Sequence, residues 1–391
     1  MGIKRVIFHL GMPKTGTTSI QDTLFHNTAL LEKNGIKYLN EWGRNHFYKF
    51  RDLFSQYPVG SINIRHQNKK LINKMAQVVN TSKCETLVFS GEYCQELYHV
   101  STFNAIKDFI KTYFQNKGIE ISVILFIRNP LAYLISSLQQ NLFYTGYVNK
   151  NCDYFETVIK QHEGIFNLQE HFCDSLKAYK FEDVCLDKDG LVGCFLKTIG
   201  FPEEELKNIS VHKANESRCM EVMEFVHFVE TIEPRYPYSN YRRRNANRFP
   251  GDFNILKDIK GTKFDLPYQS KTELWERLQK VIALLKENID IDYTNYTIPP
   301  PLPQETYSEE TTQGFIEAFP KLSFMLQRYF LNFFEKKYME TAQEKFKNLY
   351  FCGSIPWKVY NSKNALLGLI VMRAKYKLRE INKLARRLYG H

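Results

Sequence analysis

Hydrophobic residues in the first third of the chain fall into short continuous runs separated by segments with helical spacing. Residues 5–10 (RVIFHL) form a mostly apolar run that is followed by a glycine-containing turn, and similar runs occur at 86–89 and 121–127. Strands that alternate with helices predict a parallel sheet covered on both faces. The helices expected after these three runs are 19–25, about 102–116 and about 131–144.

The pattern changes along the rest of the chain. A further strand is predicted near 184–186, ahead of a helix at about 189–199. Beyond about residue 230 the sequence becomes rich in tyrosine and arginine, and the proline-rich run 299–303 predicts a stiff, extended connector. Residues 310–391 have a helical pattern throughout. The expected division is a catalytic α/β domain at 1–230, an insertion or acceptor-binding segment at 231–298 and a helical region at 299–391.

Composition excludes several classes of protein. With 43% hydrophobic and 15% aromatic residues, the 391-residue chain does not have the composition of a disordered, collagen-like or disulfide-stapled protein. The eight cysteines include no C-x-x-C pair and no zinc-type spacing, which predicts reduced thiols. A formal net charge of +11 favours anionic partners.

The apolar runs also indicate where in the cell the protein is expected. None reaches the roughly 18 residues that a membrane-spanning helix needs. Because the strand at 5–10 leaves no room for a signal peptide, we expect a cytoplasmic, bacterial protein.

The turn after the first strand has the position of a phosphate-binding loop. In an α/β sheet such a loop directs backbone N–H groups and a helix N-terminus toward a bound anion. Gly11 and Gly16 have the spacing of a Walker A loop, but Thr17 follows Gly16 where a nucleotide kinase carries lysine, and the lysine lies earlier, at Lys14. This arrangement disfavours ATP or GTP hydrolysis. The alternative is a Gly/Thr-rich turn that only caps the helix.

The segment Pro13–Thr18 (PKTGTT) resembles the 5′-phosphosulfate loop of sulfotransferases that use 3′-phosphoadenosine 5′-phosphosulfate (PAPS), and Gly11–Gln21 is similar to their bacterial members. In that family the early lysine lies near the oxygen that bridges phosphate and sulfate. The resemblance therefore implies PAPS as donor, with 3′,5′-bisphosphoadenosine (PAP) as product. The donor-binding residues that it implies in this loop are Lys14, Thr15, Gly16, Thr17 and Thr18.

A second anion site is expected because PAPS also carries a 3′-phosphate. Arg128-Asn129-Pro130 follows the strand at 121–127, with Ser136 eight residues after the arginine, and this pattern resembles the family's 3′-phosphate motif. Arg128 could make a charge-assisted bidentate contact. A weaker similarity begins at Lys213, in an N-x-S element like those that close bacterial sulfotransferase domains. Alternatively, Arg128 is a surface arginine, Ser136 is an ordinary helix serine, and the N-x-S element caps the helix at 220–230.

Sulfuryl transfer depends mainly on positioning and charge stabilisation. Lys14 and the loop amides would neutralise the charge that builds on the leaving phosphate, and no metal is expected. The first candidate for the general base is Glu92, which follows the strand at 86–89; His46 is second and His9 third. Alternatively, Glu92 is a solvated loop carboxylate, and His46 and His9 are structural histidines.

Acceptor binding has weaker signals. Arg242 and Arg243 lie among tyrosines and could bind an acidic or sugar acceptor by charge and stacking, although a solvated basic loop has the same pattern. The basic amphipathic segment 365–388 could contact an anionic membrane or pack on its own domain.

These features together predict an α/β fold, a P-loop-like three-layer sandwich with a central parallel sheet and a helical C-terminal addition. The expected function is transfer of a sulfuryl group from PAPS to a hydroxyl or amine of an acceptor, in particular a carbohydrate, with no nucleic-acid partner. Two alternatives remain open at this stage: a P-loop kinase or NTPase, and a non-catalytic module that binds a nucleotide or an acidic glycan.

Overall fold

The structure of the chain is a computed structural model. It describes residues 2–46, 49, 62–91, 100–145, 159–160, 162, 164, 175–212, 217–232, 252–300, 308–323, 326–330 and 332–333.

Five parallel strands form the central sheet. They are β1 (Arg5–Leu10), β2 (Ile36–Tyr38), β3 (Thr86–Gly91), β4 (Glu120–Ile127) and β5 (Ser175–Lys180). Their spatial order is β2-β3-β1-β4-β5, and every neighbouring pair is parallel. The carboxyl ends of all five strands therefore lie along one edge, where open α/β sheets bind ligands.

The helices connect these strands or follow the sheet in the chain. They are α1 (Thr17–His26), α2 (Thr28–Lys33), α3 (Ile62–Thr81), α4 (Val100–Tyr113), α5 (Pro130–Thr145), α6 (Phe181–Leu186), α7 (Gly190–Thr198), α8 (Met220–Ile232), α9 (Asp252–Ile255), α10 (Tyr268–Ile289) and α11 (Glu309–Ala318).

Strand β1 shows why both faces of the sheet are covered. Its side chains alternate, so Val6 and Phe8 belong to one hydrophobic cluster while Ile7 belongs to another. The first cluster is closed by α3, α4, α5 and α10, and the second by α1, α2 and α7. A fully buried strand between two helical layers explains the nearly continuous apolar run in its sequence. The predicted fold class, a parallel α/β sheet between helices, is confirmed.

The strand predicted near 184–186 is wrong. These residues lie in α6, where Val184 is buried but Leu186 is 87% exposed, and the edge strand is β5 instead. The sequence of β5 is SLKAYK, which alternates apolar and polar residues because the strand is only half buried. A short apolar run does not by itself distinguish a strand from one turn of an amphipathic helix.

The chain divides into two compact units. The sheet unit comprises residues 1–138, 149–216 and 266–302, and the second unit comprises 139–148, 217–265 and 303–391. Within the second unit, α8, α9 and α11 pack around a separate core that includes Phe225 and Phe315. The three-part division expected from the sequence stays a prediction.

Part of the predicted C-terminal helical region is described. Helix α11 and residues 326–330 are helical, whereas 334–391, including the basic segment 365–388, lies outside the described residues. Among the described helices, none is both long enough and apolar enough to cross a membrane.

Candidate functional site

The loop between β1 and α1 has an unusual backbone. Lys14 has a φ of 67° and Gly16 a φ of 70°, so two of three consecutive residues are in the left-handed region. Thr15 is buried and its hydroxyl donates to the carbonyl of Met12 at 2.6 Å, which ties the loop to itself. Lysine rarely adopts a left-handed conformation, because its Cβ approaches the following carbonyl oxygen. This conformation is therefore held in place by the surrounding structure.

A side chain at either of the two glycines of the loop would meet a neighbouring side chain. A Cβ on Gly11 would lie 2.3 Å from Oγ1 of Thr17, and a Cβ on Gly16 would lie 2.3 Å from Cδ2 of Leu191 in α7. Both distances are far shorter than a van der Waals contact. The spacing that the sequence shares with a Walker A loop thus has a steric cause in this chain.

Helix α1 begins directly after the loop. Gly16 is its N-cap and provides no side-chain hydrogen bond, while its carbonyl accepts from the amides of Ser19 and Ile20 at 2.9 and 3.3 Å. The first turn contains no acidic residue. The N–H groups at a helix start have no partner within the helix, so a ten-residue helix such as α1 favours an anion at this end. Thr17 is buried in this turn and Thr18 is half-buried.

The strand order places the loop beside a crevice. The chain leaves β1 toward β2 on one side of the sheet and leaves β4 toward β5 on the other, although β1 and β4 are neighbours. Such a reversal is a topological switch point, where α/β sheets form their ligand crevice. Lys14 follows β1 and Arg128 follows β4, so the two predicted phosphate-binding segments flank the same crevice.

Arg128 joins these two segments. Its Nη1 donates to the carbonyl of Lys14 at 2.9 Å, and its guanidinium carbon lies 5.5 Å from the centre of the Phe181 ring. Burial lowers the pKa of Arg128, and the opposing charge of Glu182 favours its protonated form. Arginine carries five N–H donors, so the bond to Lys14 leaves most of them available to an anion.

The two residues after Arg128 shape the start of α5. The side-chain oxygen of Asn129 accepts from the amides of Leu131 and Ala132 at 3.0 and 3.2 Å. This is N-capping, and Pro130 occupies the first helical position, where proline is favoured. The RNP sequence thus has a structural reason, in addition to the phosphate-binding role that the sequence predicts for it.

Ser136 lies in the second turn of α5 and is 8% exposed. Its hydroxyl has no hydrogen-bond partner within the part of the chain that the structure describes. The structure records no contact between Ser136 and Arg128 among those residues, so their shared role at one phosphate stays a prediction.

Two candidate bases, His9 and His46, form a buried group with Ser90. Nδ1 of His9 lies 2.8 Å from the Ser90 hydroxyl, and the Ser90 amide donates to Nδ1 of His46 at 3.1 Å. All three side chains are fully buried. Burial lowers the pKa of His9 to about 3 and the pKa of His46 to about 3, so both rings are neutral at physiological pH.

The geometry of His46 favours a structural role. Its backbone N–H donates to the Ser90 carbonyl at 2.9 Å, so His46 continues the pairing of β3 beyond the end of β2. Its ring stacks on Tyr38 at 4.6 Å. Since Nδ1 accepts from the Ser90 amide, the proton of the neutral ring is on Nε2, and the only ring lone pair is occupied. A general base needs an open lone pair.

Several predicted site residues lie outside the described residues. Glu92 comes directly after the last residue of β3, Gly91. The others in this group are Lys213, Arg242 and Arg243. Their roles in base catalysis, donor binding and acceptor binding stay predictions. In the part of the chain that is described, no three His, Cys, Asp or Glu side chains are grouped to hold a metal ion.

The sequence did not indicate two residues near Arg128. Glu182 accepts from the amide of Asn129 at 3.0 Å, and the hydroxyl of Tyr293 lies 2.7 Å from Oε2 of Glu182. No local motif marks either residue, because they reach the end of β4 only through folding: Glu182 is 53 positions from Asn129 in sequence, and Tyr293 is 166 positions from Ile127.

No protein-family model matches the chain, and no curated protein matches it by sequence. Among solved structures, the chain is similar to retinol dehydratase in complex with androsterone and the inactive cofactor PAP, with 15% identity, 75% of this chain and 84% of that chain covered, and a TM-score of 0.30. It is also similar to retinol dehydratase in a complex with retinol and PAP, with 13% identity, the same coverage and a TM-score of 0.27.

Proposed function

We propose that the chain is a sulfotransferase that moves the sulfuryl group of PAPS to a hydroxyl or amine of an acceptor. The observation that carries the proposal is the link between the two anion-binding segments: Arg128 donates to the carbonyl of Lys14 across the switch-point crevice. A lysine ahead of Gly16, a helix N-terminus and a buried arginine fit a donor with a phosphosulfate at one end and a second phosphate at the other.

Lys14 has the central role in this proposal. PAPS supplies an activated sulfuryl group attached through a bridging oxygen to the 5′-phosphate. The Lys14 ammonium would stabilise the negative charge that develops on that side during transfer, together with the first amides of α1. Thr15 and Thr17 hold the loop from within, because both hydroxyls face the carbonyl of Met12 at 2.6 and 3.4 Å.

The 3′-phosphate would be held by Arg128 and Ser136, with Lys213 as a further cation. Arg128 offers a fixed, planar set of donors, and Ser136 a hydroxyl on the helix that starts beside it. This second site would make the chain bind PAP more tightly than nucleotides that lack the 3′-phosphate. Calorimetry with PAP and AMP tests it, because Arg128→Ala should weaken PAP binding by about 1.5–3 kcal/mol and AMP binding much less.

Glu92 is the proposed general base. In the sequence it comes directly after Gly91, the last residue of β3, and β3 is the neighbour of β1 in the strand order. Glu92→Gln should lower turnover by roughly 10²- to 10⁴-fold while PAP affinity is nearly unchanged. His46→Asn is the matched comparison, since asparagine keeps an acceptor for the Ser90 amide. If only the histidine variant loses turnover, His46 takes the role instead.

The acceptor proposed is a carbohydrate. Its support is the sequence alone: the net charge of +11 and the arginines 242 and 243 among tyrosines favour acidic or sugar ligands. A cytoplasmic location and membrane contact through 365–388 are likewise predictions.

Labelled PAPS incubated with a panel of glycans tests the proposal as a whole. We expect transfer of label by the wild-type chain, and a fall in both kcat and kcat/KM in Lys14→Ala with a smaller change in PAP affinity. Magnesium-dependent hydrolysis of ATP or GTP without transfer would instead indicate an NTPase. Binding of PAP without transfer to any acceptor would indicate a binding module.

A further inference from the structure

Tyr293 reaches the donor crevice from a distant part of the chain. It follows α10, yet its hydroxyl lies 2.7 Å from the carbonyl of Ile127, the last residue of β4, and 2.7 Å from Oε2 of Glu182. The side chain is 6% exposed. Burial, with the charge of Glu182, raises the pKa of Tyr293, so the phenol stays protonated, and its single O–H is shared between the Ile127 carbonyl and the Glu182 carboxylate.

Glu182 holds the same stretch of backbone from the other side. It lies at the start of α6, and its Oε1 accepts from the amide of Asn129 at 3.0 Å. The peptide groups before and after Arg128 are therefore both fixed, one by Tyr293 and the other by Glu182. The guanidinium itself packs against Phe181, the residue that precedes Glu182 in the chain.

These contacts form a continuous path to the phosphate loop. Tyr293 and Glu182 fix the backbone of Arg128, and Arg128 in turn donates to the carbonyl of Lys14. If the Arg128 backbone moved by a few tenths of an ångström, the fit of the planar guanidinium to a phosphate would be disturbed. A contact made through a single hydrogen bond would be disturbed less.

We propose that Tyr293 and Glu182 are positioning residues that set, through Arg128, the preference of the donor site for ligands with a 3′-phosphate. This inference rests on the proposed function. It gives Tyr293, which follows the sheet in sequence, a part in donor recognition that is separate from the phosphate loop.

Tyr293→Phe removes the hydroxyl and keeps the ring. We expect about 10-fold weaker binding of PAP and less than about 2-fold weaker binding of AMP, because the second ligand does not use the 3′-phosphate site. Tyr179→Phe is the matched control: it removes a partly buried hydroxyl of β5 that lies 3.1 Å from the Thr198 hydroxyl, outside this path. The control should bind both ligands as the wild type does.

A second variant tests the carboxylate. Glu182→Asp keeps the charge but is one methylene shorter, so it cannot reach both Asn129 and Tyr293, and it should shift the PAP-to-AMP preference in the same direction as Tyr293→Phe. Its control is Glu32→Asp, at an exposed glutamate that pairs with Lys37 at 2.6 Å. Glu182→Asp also tests the inference if Tyr293→Phe does not fold.

The decisive measurement is a double-mutant cycle by calorimetry with PAP and AMP. If Tyr293 acts through Arg128, the effect of Tyr293→Phe should vanish in an Arg128→Ala background. Equal weakening of both ligands, or an effect that persists without Arg128, would overturn the inference while leaving the donor assignment intact. A wild-type chain with no preference for PAP over AMP would overturn the donor assignment, and this inference with it.

Discussion

Lys14 combines a side chain that we propose to be functional with a costly backbone conformation. A left-handed conformation at a non-glycine residue costs roughly 1–2 kcal/mol, and such residues cluster at functional sites where the surroundings hold them. Here the holding contacts are the Thr15 hydroxyl on Met12 and Arg128 on the Lys14 carbonyl. If the side chain had no role, glycine would satisfy this position better than lysine.

Lys14→Gly therefore separates the backbone from the ammonium. We expect folding stability to stay level or rise by up to about 1 kcal/mol, because relief of strain exceeds the entropy cost of glycine. Sulfuryl transfer should fall as far as it does in Lys14→Ala, which keeps the strain. Urea unfolding and single-turnover transfer at saturating PAPS measure the two effects. A stability loss with undiminished transfer would remove the lysine from the mechanism.

The buried histidines make the fold sensitive to acid. His9 and His46 both have a pKa lowered from 6.5 to about 3 by burial. Between these values the unfolded chain binds more protons than the folded one, so stability is complete above about pH 6.5 and is lost progressively as the pH falls toward 3. Each histidine contributes about 1.4 kcal/mol per pH unit within that window.

We expect the free energy of unfolding to fall by about 3 kcal/mol between pH 6.5 and pH 5, as urea titrations would measure. His46→Asn should halve this slope, whatever its effect on stability at neutral pH, because one titrating group is gone. Constant stability from pH 7 to pH 5 would contradict the assignment of two neutral buried rings.

At the scale of elements, buried strands were predictable and the edge strands were not. Strands β1, β3 and β4 are buried along nearly their whole length and mostly apolar, because helices cover both faces. Strand β2 has only three residues, and β5 carries two lysines on a half-buried edge, so neither leaves a strong pattern. Local periodicity records burial over several residues, so a strand that is very short, like β2, or only half-buried, like β5, leaves a weak pattern.

The site also has residues that could be predicted from the sequence and residues that could not. The loop at 11–16 and the arginine after β4 were predictable because each lies at the end of a strand with a clear pattern. That they meet depends on strand order, which places β1 next to β4. Glu182 and Tyr293 depend on where β5 and α10 pack, and no local pattern contains that information.

The approach of α1 to α7 can be tested at Gly16. Gly16→Ala should destabilise the chain by about 2 kcal/mol, from left-handed strain and from contact with Leu191. In Gly16→Ala/Leu191→Ala the contact is gone and the strain remains, so the double variant should be more stable than the two single changes predict by addition. Thermal unfolding of the four proteins gives the coupling. Strict additivity would show that the glycine is required for its backbone alone.

At the scale of the whole molecule, the residues proposed to bind the donor through described contacts all lie in the sheet unit. The net charge of +11 attracts anions to the molecule without selecting among them. In the proposed function, selection between PAP and AMP depends on the crevice between β1 and β4. We therefore expect a bound nucleotide to protect backbone amides of the sheet unit and not those of the second unit.

Hydrogen exchange in the presence of PAP tests this expectation peptide by peptide. At 100 times its dissociation constant a ligand adds about 2.7 kcal/mol to the state that binds it, which slows exchange through opening of that state by about 100-fold. We expect this protection for peptides that cover 5–18 and 128–136, and none for α8 or α11 of the second unit. AMP at the same saturation should protect 11–18 and leave 128–136 little changed, because it lacks the phosphate assigned to Arg128. Equal protection of 128–136 by both nucleotides would place the 3′-phosphate elsewhere, and protection confined to α8 or α11 would move the donor site out of the sheet unit.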